Sequence, residues 1–155
     1  MNRDTCQSLT ALSGRVFLSA IFLFSGFGKI ADWSKFAHMM DEKGMPLVPL
    51  LLAGAIAFEV LGGLSLLLGF YGRVGAVALI VFLIPTSLIF HNFWAAEAAQ
   101  QQNQMIHFMK NVAIMGGLLM VAALGTDGFS IDRWMNRTRT GRPMRQRRDE
   151  PAMVG

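Results

Sequence analysis

Apolar side chains gather along this chain into four long runs, at residues 14–31, 47–71, 74–91 and 105–124, with short polar breaks between them. Each run is close to the roughly 20 residues that an α-helix needs to cross a hydrocarbon core ~30 Å thick. Apolar residues wrap every face of these segments instead of forming one stripe, which argues for lipid around them and against four buried helices of a soluble protein. Glycine and proline mark the junctions at Gly44-Met45-Pro46, Gly69-Phe70-Tyr71-Gly72 and Gly125-Thr126-Asp127-Gly128. The pattern predicts an all-α protein, an integral membrane four-helix transmembrane bundle over residues 14–128. An N-terminal segment, 1–13, precedes it and a basic tail, 129–155, follows.

Composition agrees with that reading and charge refines it. Hydrophobic residues make up 53% of the chain and charged residues 15%, against roughly 25% charged in an ordinary soluble domain. Too few charges remain to coat a water-soluble globule, and the balance excludes a disordered chain and a disulfide-stapled secreted domain. The net charge of +4 and a pI near 9.8 would suit a nucleic-acid binder, but the arginines are distributed as topology markers. They fall at Arg3 and Arg15, at Arg73 between the second and third runs, and from Arg133 to Arg148 in the tail. Four crossings put all three places on one side, and the opposite loops hold only Lys35 and Lys43 against Asp32, Asp41, Glu42 and Glu97. Positive charge collects on the cytoplasmic side, so both termini are expected there. The expected partner is the lipid bilayer, and no nucleic acid.

Gly26-Phe27-Gly28 loosely imitates a signal-peptide cleavage site. The run continues unbroken to Lys29, however, and the first helix is expected to be retained. Trp33, Phe93, Trp94 and Trp134 fall at predicted helix ends, as interfacial aromatic residues do. Trp134 among the tail arginines suits a segment lying on anionic lipid and equally a solvated one.

Ionisable groups inside the spans carry the functional information, because each costs a few kcal/mol or more in lipid. At ~1.5 Å per residue, Lys29 and Lys110 lie roughly 8 Å short of the outer boundary, and Glu59 sits near the midplane. His91 and His107 lie near the outer rim. Helical spacing groups His107, Lys110, Asn111 and Ile114 on one face. It also groups Ala55, Glu59, Gly62 and Gly63, whose small members allow close approach by a neighbour. Ser25 with Lys29, and Ser87 with His91, are further i, i+4 pairs. With these faces inward, Lys29, Glu59, His91, Lys110 and Asn111 form a polar pocket open to the outside. Glu59 needs a cation or a proton there, and either lysine reaches it. The alternatives are that the lysines snorkel to the headgroups and that Glu59 serves only a structural ion pair. Pro85 is expected to kink the third helix. No metal site is assigned, although the two histidines could in principle act as paired axial ligands.

The lone Cys6 excludes C-x-x-C thiol–disulfide chemistry, and neither G-x-x-x-x-G-K-[ST] nor G-x-G-x-x-G occurs. Catalytic residues are therefore unassigned and no bound cofactor is expected.

An ordered set of short motifs resembles the DoxX family. It comprises Phe24-Ser25-Gly26-Phe27-Gly28-Lys29, Lys43-Gly44-Met45-Pro46, and Glu59 with Gly62-Gly63. Gly69-Phe70-Tyr71-Gly72-Arg73, His91-Asn92-Phe93-Trp94 and Phe108-Met109-Lys110-Asn111 complete it, and the match runs over about residues 12–134. The resemblance implies a small four-helix protein of the bacterial cytoplasmic (inner) membrane. The family takes its name from subunits of a thiosulfate:quinone oxidoreductase, and most members have no established activity. The leading expectation is an outward-facing pocket that binds a quinone or a small anionic ligand in support of a membrane redox process, with a diffusible quinone or a redox partner subunit carrying electrons. The alternatives are a non-catalytic assembly or interaction subunit, and a small-solute or proton transporter.

Overall fold

The computed structural model describes residues 3–126 and 128–140 of the chain. Six α-helices follow one another: α1 (Arg3–Ala31), α2 (Trp33–Glu42), α3 (Val48–Leu68), α4 (Gly72–Phe90), α5 (Ala98–Leu124) and α6 (Ile131–Thr140). A 3₁₀ turn at Phe93–Ala95 joins α4 to α5, and no strand occurs among the described residues. Four helical segments, Thr5–Ala31, Val48–Leu68, Gly72–Ala95 and Ala98–Leu124, are long and apolar enough to cross a membrane. The fold is an all-α transmembrane bundle.

The helices outrun the apolar runs where local chemistry lets them. α1 begins at Arg3, not near Gly14: Gln7, Leu9, Ala11 and Leu12 are good helix formers, and the hydroxyls among them are satisfied within the helix, Thr10 Oγ1 donating to Cys6 O (3.0 Å) and Ser13 Oγ to Leu9 O (3.0 Å). α5 begins at Ala98, not near Met105. Its glutamine-rich opening is polar, yet glutamine is a good helix former, and Gln100 and Gln101 already donate to Glu97 O. Hydropathy marks the lipid-facing length of a helix; propensity and capping set its ends. α2 was not expected at all. Trp33, Phe36 and Met40 follow i, i+3, i+7 and make it amphipathic, with Met40 buried.

α1 packs on α3, α3 on α4 and α4 on α5, while α1 and α5 meet sparingly. The core is Phe22, Leu66, Ala76, Leu79, Leu83 and Leu118. Most of it lies toward the end of the bundle that carries the α3–α4 turn. Gly62 and Gly63 make this packing feasible by facing different neighbours. A Cβ at Gly62 would sit 2.6 Å from Leu79 Cγ on α4, and one at Gly63 would sit 3.0 Å from Leu23 on α1. Small residues at such positions let helix backbones approach where lipid supplies no hydrophobic drive. Pro85 lies inside α4, which stays continuous to Phe90. Beside it Thr86 Oγ1 donates to Phe82 O (2.8 Å) and Ser87 Oγ to Leu83 O (2.7 Å), so both hydroxyls are satisfied within the helix.

The α3–α4 end is held by polar ties across the chain. Arg15 is only 4% exposed, and its guanidinium donates to Thr126 O (3.0 Å) and to Phe129 O. Asp132 accepts from the Tyr71 and Gly72 backbone N–H groups (3.0 and 3.3 Å). It thereby caps α4, and its own N–H donates to Gly69 O (3.0 Å). Gly69 (φ 62°) ends α3 in the left-handed region, and Tyr71 (φ 49°) takes the same conformation at the cost borne by a non-glycine residue.

Replacing Gly62 by leucine should overpack the α3–α4 contact and lower stability by about 2–3 kcal/mol. Gly14→Leu, at an exposed position inside α1 with nothing within 4 Å of a Cβ, should instead raise it by about 0.5–1 kcal/mol, since it removes a helix-interior glycine. Reversible unfolding in mixed detergent micelles measures both.

Candidate functional site

Lys29, in the last turn of α1, points inward. Its Nζ donates to both carboxylate oxygens of Glu59 on α3, at 2.9 Å (Oε1) and 2.8 Å (Oε2), and to Ser25 Oγ at 2.7 Å. Ser25 passes a hydrogen bond on to Glu59 Oε1 (3.0 Å), closing a small ring of contacts. A lysine ammonium has three N–H groups, and all three are engaged. The Phe36 ring of α2 lies 5.2 Å from Nζ, within cation–π range. Glu59 is 4% exposed. An ion pair so buried costs desolvation of both charges, and its direct contacts and the serine bridge offset that cost. Lys29 therefore does not snorkel, and of the two lysines within reach of Glu59 it is the one that pairs.

Next to this pair lies a cavity of about 750 Å³. Its walls are mostly apolar, with Phe22, Phe58, Phe82 and Pro85 among them, and α2 lays Phe36, Met39 and Met40 across it. All five residues singled out by depth and spacing border this space: Lys29, Glu59, His91, Lys110 and Asn111. They are not one hydrogen-bonded group. Asn111 is buried and donates through Nδ2 to Ser87 Oγ (3.0 Å), tying α5 to α4. His91 Nδ1 donates to Gln104 Oε1 (3.0 Å), and its ring stacks on His107 with centroids 5.1 Å apart and planes 22° from parallel. Lys110 Nζ donates to His107 Nδ1 at 3.4 Å. Phe93, Trp94 and Phe108 pack edge to face beside them, with centroids 5.1–5.8 Å apart. No group of three or more His, Cys, Asp or Glu among the described residues could hold a metal ion.

Phe36, Gln104, Arg15 and Asp132 escaped the reading by depth and charge. Phe36 lies in the amphipathic α2, whose apolar spacing was the available sign. Gln104 precedes the apolar run of α5 and so fell in an assumed loop. Arg15 resembles a boundary marker, and Asp132 sits among tail arginines; only tertiary contact distinguishes them.

Four membrane-spanning helices around a polar-based, apolar-walled cavity define a small integral membrane protein of the four-helix bundle class. Residues 10–92 match the DoxX family, and the chain belongs to it. It is similar to inner membrane protein YqjF of Escherichia coli (strain K12), 32% identical over 133 residues that cover 84% of this chain and 95% of that protein. It is also similar to inner membrane protein YphA of the same organism, 32% identical over 122 residues that cover 79% of this chain and 87% of that protein. No solved structure matches the chain.

Lys29→Met leaves the Glu59 carboxylate buried without its cation and should cost about 3–5 kcal/mol of stability. Adding Glu59→Gln to the same chain should recover most of that loss. Unfolding of the single and double variants in detergent decides the point.

Proposed function

We propose that this DoxX-family protein resides in the bacterial inner membrane with both termini cytoplasmic, and that its cavity receives the polar head of a small ligand, a quinone or an anionic group, in support of a membrane redox process. The observation that carries this reading is the union of an apolar-walled space with charged groups that the membrane makes costly: the Lys29–Glu59 pair on one side and Lys110 on another. Ligand sites combine mostly apolar walls with a few convergent polar groups in clefts of about 300–1,000 Å³. The arrangement suits a head group with hydrogen-bond acceptors, for which Lys110 supplies N–H donors. Glu59, bridged to Lys29 through Ser25, is a route for exchanging a proton with such a head. The arginine distribution favours the stated orientation, and the printed names of the two relatives favour the inner membrane.

The test is thermal unfolding of the purified full chain in detergent with short-chain ubiquinone and menaquinone analogues and with small anions. At a ligand concentration 100 times its Kd, stabilisation should reach about 2.7 kcal/mol. The shift should shrink in a Lys110→Met chain, which loses the N–H donors offered to the head. A wild-type protein that none of these ligands stabilises would overturn the reading.

A further inference from the structure

We propose that the cavity binds a long-chain monoanionic amphiphile, a fatty-acid-like carboxylate, with its head at Lys110 and its chain along the α3–α4 wall. This rests on the cavity being a ligand site and names the chemical class of its ligand.

The charges bordering the cavity do not balance. Glu59 is matched by Lys29, whose three N–H groups are already taken by Glu59 and Ser25, so this pair is neutral as a unit and offers no donor. Lys110 is the remaining fixed charge on the lining. Its one hydrogen bond among the described residues goes to a neutral acceptor, His107 Nδ1 at 3.4 Å. No carboxylate of the described residues lies within ion-pair distance of it. Lys110 is exposed near the outer end of α5 and also borders the apolar space, so an anionic head can meet it while an attached apolar chain occupies that space. His91 and Asn111, which also border the space, each make one hydrogen bond there, to Gln104 and Ser87, and neither brings a fixed positive charge, so the ionic contact to the head comes from Lys110.

The walls determine what that anion carries. Leu51, Phe58, Val81, Phe82 and Ile89 of α3 and α4 line about 750 Å³ of largely apolar space, which a small inorganic anion would leave unfilled. Phe58 also borders a shallower groove of about 310 Å³ between α3 and α4. Phe58 and Val81 keep 44% and 57% exposure, so the wall is accessible from the lipid side. A single hydrocarbon chain suits this apolar wall, which is open at the bundle surface. A neutral quinone would satisfy the walls without engaging the Lys110 charge.

The experiment uses the full chain in nanodiscs of zwitterionic lipid and a photoactivatable C16 carboxylate bearing a diazirine on its chain. Labelled residues are mapped by mass spectrometry, with palmitate, hexadecanol and a short-chain ubiquinone as competitors. Labelling of the α3–α4 wall, competed by palmitate at least tenfold better than by hexadecanol, is the expected result. Lys110→Met should weaken palmitate competition about tenfold, as loss of a charge-assisted contact does, and Lys110→Arg should restore it. Equal competition by alcohol and acid, an unchanged Lys110→Met chain, or labelling confined to other surfaces would overturn the proposal. If the carboxylate fails while ubiquinone still stabilises the protein, the ligand class is wrong and the ligand site survives. If neither binds, both fall.

Discussion

A carboxylate halfway along a membrane-spanning helix must be neutralised within the protein, and the arrangement of this bundle follows from how Glu59 meets that demand. Its cation comes from α1, so α1 and α3 must lie close along the stretch between Ser25 and Lys29. Gly26 and Gly63 remove the side chains that would hold the two helices apart. Gly62, one position away on α3, opens the next face to Leu79 of α4. One short segment thus fixes two helix contacts, and α5 is left to pack on α4 with little purchase on α1. The cavity is the space that this uneven closure leaves beside the ion pair.

The two ends of the bundle solve different problems. At the α3–α4 turn, polar groups are spent on one another: Arg15 on backbone carbonyls, and Asp132 on the first N–H groups of α4. At the other end, polar groups border a space that the protein does not fill, and α2 lies across it with Phe36 and Met40. The first end ties three stretches of the chain together through Arg15 and Asp132, whereas the second leaves its polar groups facing a mostly apolar space.

Much of this was legible in the sequence. The four spans follow from runs of apolar residues that no soluble helix would wrap with, and Glu59 stands out because a short charged side chain so deep cannot reach water. Spacing also brought Lys29, Glu59, His91, Lys110 and Asn111 to a common space, but it could not say which lysine meets the carboxylate. That choice depends on the contact between α1 and α3, which periodicity within one helix does not contain. Arg15 shows the same limit. A charge count treats it as a marker of the membrane boundary, whereas a chain segment more than a hundred residues away buries it. The short α2 was missed because its amphipathic pattern spans only 10 residues between two stronger signals.

The cap on α4 links distant parts of the chain in time as well as in space. The first N–H groups of α4 are satisfied by Asp132, a residue made only after α5 has been synthesised. Until Asp132 is made, these N–H groups lack the acceptor they have in the complete chain. The last described stretch of the chain closes this turn, so the cap on α4 depends on a residue that follows all four spans in the order of synthesis.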